Sequence, residues 1–296
     1  MATKPKRLIT HSEEFHTDDV FATALLLELF PNAEVVRTRD EAVIATGDIV
    51  YDVGKVFDPK LGRFDHHQEH AGKRDTGITY SSFGLLWREY GLQFCENDAD
   101  LWKAIDKRLV EPVDARDNGQ KITKEVYVGV EPFTIDDVIT VMNPQTWVNE
   151  TEGHDTQFMR AVELATTVLH RVKAAEQNKL LSRKYLLDLY AEADDKRVLV
   201  ADRKADVAGI ILDCPELLYV VSPRPSGNWG VLAVSIEPGS FVCRCPFPEA
   251  WRAQPPEKLA QLTKIADVTF CHATGFYAVA ESKQGAIALA QRALVD

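Results

Sequence analysis

The chain has 296 residues, of which 45% are hydrophobic, and a formal net charge of −11 at pH 7. No apolar run approaches the ~18 residues of a membrane helix, and no apolar core of an export signal follows Arg7, so we expect neither feature. The acidic balance argues against a broad basic surface for duplex nucleic acid. Five scattered cysteines are typical of reduced thiols, which favours a cytoplasmic location.

The first part of the sequence alternates short apolar segments with helical patterns. Strands are predicted at 7–10, 33–36 and 48–51, and helices at 19–29 and 40–45. Such alternation is typical of an α/β fold with a doubly wound, mainly parallel sheet. In open sheets of this class, ligands bind at the carboxyl ends of the strands.

The middle of the sequence is less regular. A helix is predicted to begin with Ser81 or Ser82 as its N-cap, and a second helix covers 98–110. The second helix leads to a turn-prone segment, 112–119, that carries two carboxylates. Residues 123–149 show no clear hydrophobic period, so they predict only mixed loop and short helix.

A long helical pattern over 156–193 precedes a change in character. The segments after it predict a smaller α+β domain, with strands at 197–201, 208–212, 217–222 and 230–236 and a closing helix at 284–294. We therefore expect a first domain over 1–150, a helical connector over 151–193 and a second domain over 194–296.

Histidines and aspartates cluster directly after the predicted strands. His11, His16 and Asp18 follow the first strand, Asp52 follows the third, and the run Asp65-His66-His67 comes soon after. Because the carboxyl ends of parallel strands share one edge, we expect these side chains to converge. Mixed imidazole and carboxylate ligands suit manganese or a similar ion better than calcium. Two such ions, ~3.5–4 Å apart, would activate water for phosphoester hydrolysis.

The order and spacing of these motifs resemble the Myg family. The matching segments lie at 10–19, 52–54, 63–68, 113–119 and 272–276. The resemblance runs over nearly the whole chain and in the same order. That family belongs with the DHH-type phosphoesterases and is also catalogued as metal-dependent protein hydrolases, so the resemblance implies a DHH-phosphoesterase-like fold. It also implies that the domain over 1–150 is the metal-binding catalytic domain and that the domain over 194–296 binds substrate.

The resemblance also implies a ligand for each position of a two-manganese centre. The ligands would be His11 and His16 for one ion, Asp18, His66 and Asp114 for the other, and Asp52 as the bridge. Mg²⁺ or another divalent ion stays an alternative to Mn²⁺. Asp117 lies three residues after Asp114 in the same segment. The choice between Asp114 and Asp117 as the ligand is left open.

Residues outside the ligand set carry further implied roles. Asp65 would orient a ligand histidine, and His67 would face the substrate phosphate or the leaving group. In the C-terminal domain, the resemblance implies that substrate is held by the turn at 272–276, through His272, Thr274 and Gly275. Arg224 is a further substrate-binding candidate, although an arginine in such a segment is more often a solvated charge.

The resemblance implies a manganese-dependent phosphodiesterase that acts as a 3′-to-5′ exoribonuclease on RNA or short oligonucleotides. A phosphatase of small nucleotides or pyrophosphate is the alternative within the enzyme class, because the same two-metal centre serves either reaction. A regulatory or binding protein that retains the fold without catalysis is the alternative outside it. The oligomeric state is left open, with a homo-oligomer among the expected states.

Overall fold

The computed structural model describes residues 5–68, 71–148, 152–204 and 206–296. The chain divides into two units, Met1–Glu176 and Gln177–Asp296, and each is a mixed α/β unit with one five-stranded sheet. The domain boundary predicted at residue 150 lies outside the described residues. The assignment of catalytic and substrate-binding roles to separate domains stays a prediction.

The sheet of the first unit contains β1 (Arg7–Thr10), β2 (Glu34–Arg37), β3 (Ile49–Tyr51), β4 (Phe57–Asp58) and β5 (Arg63–Phe64). Their order is β2-β1-β3-β5-β4. β1 pairs in parallel with both β2 and β3, β3 pairs in parallel with β5, and β4 joins β5 antiparallel. The sheet is therefore mixed. β2 and β3 lie on opposite sides of β1 in the sheet. Where the strand order reverses in this way, the carboxyl ends of the strands form a crevice.

Seven helices are described in the first unit or begin there: α1 (Thr17–Leu29), α2 (Glu41–Ile44), α3 (Ser82–Phe94), α4 (Ala99–Ile105), α5 (Glu111–Asp117), α6 (Ile135–Val141) and α7 (His154–Glu192). The predicted long helix is confirmed as α7, which continues into the second unit. Ser81 is confirmed as the N-cap of α3, since its hydroxyl accepts the N–H of Gly84. α1 packs against α3, where the rings of Phe21 and Phe83 lie 5.5 Å apart. This packing holds the starts of both helices beside the ends of β1 and β3.

The predicted turn over 112–119 is wrong for most of its length, because these residues belong to α5. A wide π-helical turn at Asp106–Val110 joins α4 to α5, so Pro112 lies in the first turn of the second helix. Proline lacks an N–H and clashes with the preceding helical turn, and a widened turn accommodates both defects. As a result, the two carboxylates of this segment project from a helix.

The sheet of the second unit has the order β6-β7-β8-β10-β9. Its elements are β6 (Val198–Val200), β7 (Tyr219–Pro223), β8 (Trp229–Ala233), α8 (Pro256–Thr263), β9 (Val268–Cys271), β10 (Tyr277–Ala280) and α9 (Lys283–Ala293). The strand predicted at 208–212 is wrong: Val207–Ile210 forms a short 3₁₀ turn capped by Asp206. Its buried residues Val207, Ile210 and Ile211 follow helical spacing. Among the described residues, no helix is long and apolar enough to cross a membrane.

Candidate metal centre

Asp52 lies at the middle of a buried cluster of histidines and aspartates in the first unit. It directly follows β3 and has φ of 55°. That left-handed backbone conformation is uncommon outside glycine and best tolerated by asparagine and aspartate. Its Oδ2 lies 3.1 Å from Nε2 of His11, and its Oδ1 lies 3.2 Å from Nε2 of His66. The two carboxylate oxygens of Asp52 therefore face two different histidines.

The first group of ligand-type atoms comprises His11, His16 and Asp52, with all three atoms within 4.8 Å of one another. His11 follows β1 and is almost fully buried, whereas His16 is exposed and is the N-cap residue of α1. The N–H of His16 donates to Oδ1 of Asp19 at 2.8 Å. The end of β1 and the start of α1 thus bring two imidazoles to one side of Asp52.

The second group comprises Asp18, His66 and Asp117, again with all three ligand-type atoms within 4.8 Å. Nε2 of His66 lies 3.3 Å from Oδ2 of Asp117 and 4.0 Å from Oδ2 of Asp18. Asp18 is contributed by α1, His66 by the segment after β5 and Asp117 by the end of α5. This group adjoins the first through the contact of His66 with Asp52.

Several buried ligand-type atoms in these groups lack a hydrogen-bond partner in the described structure. They are Oδ1 of Asp18, Oδ2 of Asp117 and, beside the groups, Oδ2 of Asp19. A buried acceptor without a partner is costly unless a proton or a cation lies beside it. Imidazole nitrogens and carboxylate oxygens are the donors that a divalent transition metal prefers, so the residues present fit such an ion.

The ionisation of the cluster reflects the same crowding of charge. Burial and the repulsion of Asp117 raise the pKa of Asp18 well above its ordinary value. Burial raises the pKa of Asp19 to about 7. Burial would also raise the pKa of Asp52, but the hydrogen bonds with His11 and His66 outweigh it and hold that pKa below the ordinary value. Without a metal, the cluster therefore retains protons that bound cations would displace.

His67 differs from its neighbour in being largely exposed, with 61% of its side-chain surface accessible. Its Nδ1 lies 2.8 Å from Oδ1 of Asp65. Asp65 is buried, and its Oδ2 accepts the N–H of Lys55. The hydrogen bond with Asp65 raises the pKa of His67. His67 forms a third group of ligand-type atoms with Asp52 and His66. Asp65 orients its ring and leaves Nε2 facing away from the bond.

Asp114 is fully buried but lies in a different set of contacts from Asp117. Its Oδ2 accepts Nε of Arg74 at 2.6 Å, and its Oδ1 accepts both the hydroxyl and the N–H of Ser81. Arg74 also donates two hydrogen bonds to Asp106. The structure thus brings Asp117 to the histidines and engages Asp114 in an ion pair beneath the start of α3.

Arg74→Met is expected to destabilise the first unit strongly. The substitution removes the cation from Asp114, and breaking a buried ion pair costs about 3 kcal/mol or more. For a unit of this size, that corresponds to a fall of roughly 10 °C in the melting temperature, measurable by circular dichroism. Arg197→Met, which breaks an exposed pair with Asp195, is the control and should leave the melting temperature unchanged. Equal melting temperatures for both variants would contradict the role assigned to Arg74.

Two buried residues beside the cluster were not assigned a site role from the sequence. Asp19 is as buried as Asp18, and its Oδ2 lies 3.4 Å from Nε2 of His11. Ser82 donates its N–H to Asp18 at 3.3 Å and its hydroxyl to Asp52 at 3.4 Å. A serine that follows an N-cap shows no sign of a site role in the sequence. Asp19 does, because it stands next to Asp18 shortly after His16.

The second unit contains a cavity of about 1060 Å³ that is partly lined by the predicted substrate turn. His272 and Thr274 line it together with Phe276 and Lys204. The N–H of Thr274 donates to Nδ1 of His272, so that ring presents its other nitrogen as a donor when neutral. Gly275 and Arg224 are not lining residues. Gly275 shapes the turn with φ of 74°, and Arg224 pairs with Asn228.

The chain is similar to known proteins over nearly its whole length. A family model named MYG1_exonuc, described as an uncharacterised protein family (UPF0160), matches residues 7–294. The MYG1 protein C694.04c of Schizosaccharomyces pombe is 31% identical, covering 97% of this chain and 97% of its own. The MYG1 exonuclease of Homo sapiens is 30% identical over 99% of this chain and 86% of its own. The MYG1 protein YER156C of Saccharomyces cerevisiae is 30% identical over 98% and 96%.

Proposed function

Because the chain belongs to the MYG1 exonuclease family (UPF0160), we propose that it is a metal-dependent nuclease that hydrolyses phosphodiester bonds. The observation that carries the proposal is that Asp52 belongs to two groups of ligand-type atoms, one with His11 and His16 and the other with His66 and His67. Adjacent groups of imidazole and carboxylate donors suit a pair of divalent ions. The proposal includes membership of the DHH-type phosphoesterases and the doubly wound arrangement that goes with it.

In the proposed centre, His11 and His16 would hold one ion, and Asp18 and His66 would hold the other. Asp52 would be shared between them, and Asp117 would replace Asp114 as the acidic ligand from α5, since it lies beside His66. We propose Mn²⁺ as the metal, with Mg²⁺ or another divalent ion as the alternative. Such a pair, when bound, activates water and neutralises the phosphoryl oxygens.

The chain's own residues supply proton transfer and orientation. His67 is exposed beside the centre, and Asp65 holds it through Nδ1, so the free Nε2 is the atom available to a substrate. Since the bond to Asp65 raises the pKa of His67, the ring retains its proton nearer to neutral pH. We propose that Nε2 of His67 donates this proton to the leaving oxygen as a general acid.

The proposed substrate is RNA or a short oligonucleotide, shortened from the 3′ end. Support in the second unit comes from the mixed lining of its cavity, in which the aromatic ring of Phe276 accompanies the polar groups of His272 and Thr274. Apolar walls with a few polar groups are typical of sites for small organic groups. In this proposal, Gly275 contributes to substrate binding by shaping the turn, and Arg224 contributes only at the periphery of the substrate site.

The proposal is tested by incubating the purified chain with Mn²⁺ and a single-stranded RNA labelled at its 5′ end. Matched DNA, small nucleotides and pyrophosphate are run beside it, and products are resolved by length over time. A ladder that shortens from the 3′ end is the expected result. Release of phosphate from small molecules alone would favour the phosphatase. Inertness toward every substrate, with bound Mn²⁺ verified, would overturn the catalytic proposal in favour of a binding protein.

A further inference from the structure

The segment that follows α5 returns to the candidate metal centre through helix α6. Asn143 lies just after α6, and its side chain contacts both backbone polar groups of Phe15. Its Oδ1 accepts the N–H of Phe15 at 3.0 Å, and its Nδ2 donates to the carbonyl of Phe15 at 2.9 Å. Phe15 directly precedes His16. The amide of Asn143 therefore fixes the peptide plane on one side of a candidate ligand.

Asp136, on the first turn of α6, makes a second connection. Its Oδ1 accepts the hydroxyl of Thr17 at 2.8 Å, and its Oδ2 accepts Nε of Arg116 at 2.9 Å. Thr17 directly follows His16, and Arg116 directly precedes Asp117. The carboxylate of Asp136 thus links the residue next to His16, in the first group, to the residue next to Asp117, in the second group.

These contacts contribute more to orientation than to stability. The side chain of Phe15 is already buried against Phe158, with ring centroids 5.6 Å apart, so packing alone would hold this loop. Arg116 is half exposed, and exposed ion pairs add little to folding. By contrast, His16 is exposed, so the direction of its ring depends on the backbone on either side. A double contact to that backbone has its main effect on the ligand geometry.

We propose that Asp136 and Asn143 are positioning residues that set the spacing between the two ligand groups and thereby their affinity for a pair of ions. The inference rests on the proposed metal centre. Neither residue touches the ligand-type atoms of the groups, and both act through the residues that flank His16 and Asp117. Groups of this kind that orient metal ligands typically alter metal affinity 10–100-fold when they are replaced.

The test is a calorimetric Mn²⁺ titration of the full chain. Asp136→Asn and Asn143→Ala are each expected to weaken Mn²⁺ binding about 10-fold. Asp136→Glu keeps the carboxylate and is expected to recover most of the affinity. Asp213→Asn is the matched control, since Asp213 pairs with Arg183 at the same 2.9 Å distance on the second unit. This control is expected to bind Mn²⁺ as the unaltered chain does.

Melting temperatures with EDTA and with Mn²⁺ separate positioning from structural support. A positioning role reduces the rise in melting temperature that Mn²⁺ causes, while a purely structural role lowers the melting temperature equally in both conditions. Unchanged Mn²⁺ affinity in Asp136→Asn and Asn143→Ala would overturn the inference and leave the metal centre intact. No Mn²⁺ binding by the unaltered chain would overturn the metal centre and this inference together. Loss of nuclease activity alone, with binding retained, would count against both positioning assignments.

Discussion

Asp52→Asn is expected to abolish Mn²⁺-dependent hydrolysis while the chain stays folded. The side chain faces His11 with one oxygen and His66 with the other, so its charge is the one shared by both proposed ions. An amide offers a single weak oxygen donor in its place. Loss of several kcal/mol of charge stabilisation corresponds to a rate decrease of about 1000-fold or more.

Asparagine is the informative replacement because of the backbone at this position. Asp52 has φ of 55°, which asparagine adopts far more readily than alanine, so Asp52→Ala would combine the loss of the ligand with backbone strain. Circular dichroism verifies folding, and Asp75→Asn, on an exposed loop of the same unit, is the matched control. Turnover of Asp52→Asn at the rate of the unaltered chain, measured under saturating Mn²⁺, would refute the bridging role.

The location of this residue is the kind of feature that sequence reasoning predicts well. β1 and β3 are short apolar segments that end in polar residues, and parallel pairing brings those ends together. That geometry depends only on strand order and direction, which alternation with helices indicates. The sequence alone therefore predicts His11 and Asp52 at one edge of the sheet, and in the structure Nε2 of His11 lies 3.1 Å from Oδ2 of Asp52.

The relative positions of Asp114 and Asp117 could not be predicted in the same way. Their surroundings depend on α5 being a helix, which Pro112 obscured, and on Arg74, which comes from a distant loop. A partner 40 residues away leaves no periodic trace in the sequence. The same limit applies to Asn143, since its contacts join residues separated by 128 positions and the segment 123–149 lacks a hydrophobic period.

Mn²⁺ is expected to stabilise the first unit, and to do so more strongly at pH 8 than at pH 5.5. The reason is that carboxyl groups with raised pKa values keep their protons to higher pH in the folded, metal-free chain. Asp19 has a pKa of about 7 in the folded chain against an ordinary value of 3.8, so between these limits the folded state binds more protons. The free energy of unfolding without metal therefore falls as pH rises from about 4 to 7.

Other groups in the cluster act in the same direction. Burial and repulsion from other carboxylates raise the pKa values of Asp18 and Asp117, and their contributions are likewise lost as pH rises. Burial would lower the pKa of His11 and of His66, but hydrogen bonding to Asp52 outweighs it and raises both values. Their contributions are lost above the ordinary value of 6.5. Mn²⁺ replaces these protons, so its apparent affinity increases over the range in which metal-free stability declines.

Melting temperatures recorded from pH 4 to 8.5, in EDTA and in excess Mn²⁺, measure the effect directly. A ligand present at about 1000 times its Kd adds about 4 kcal/mol, which is roughly 10 °C for a unit of this size. Asp19→Asn removes one of the stored protons and should flatten the decline in EDTA between pH 4 and 7. Two results would contradict a crowded cluster of carboxylates that can bind metal ions. One is a melting temperature in EDTA that rises with pH, and the other is a melting temperature at pH 8 that Mn²⁺ leaves unchanged. The buried excess of negative charge therefore accounts both for the protons that these residues hold and for the ions proposed to replace them.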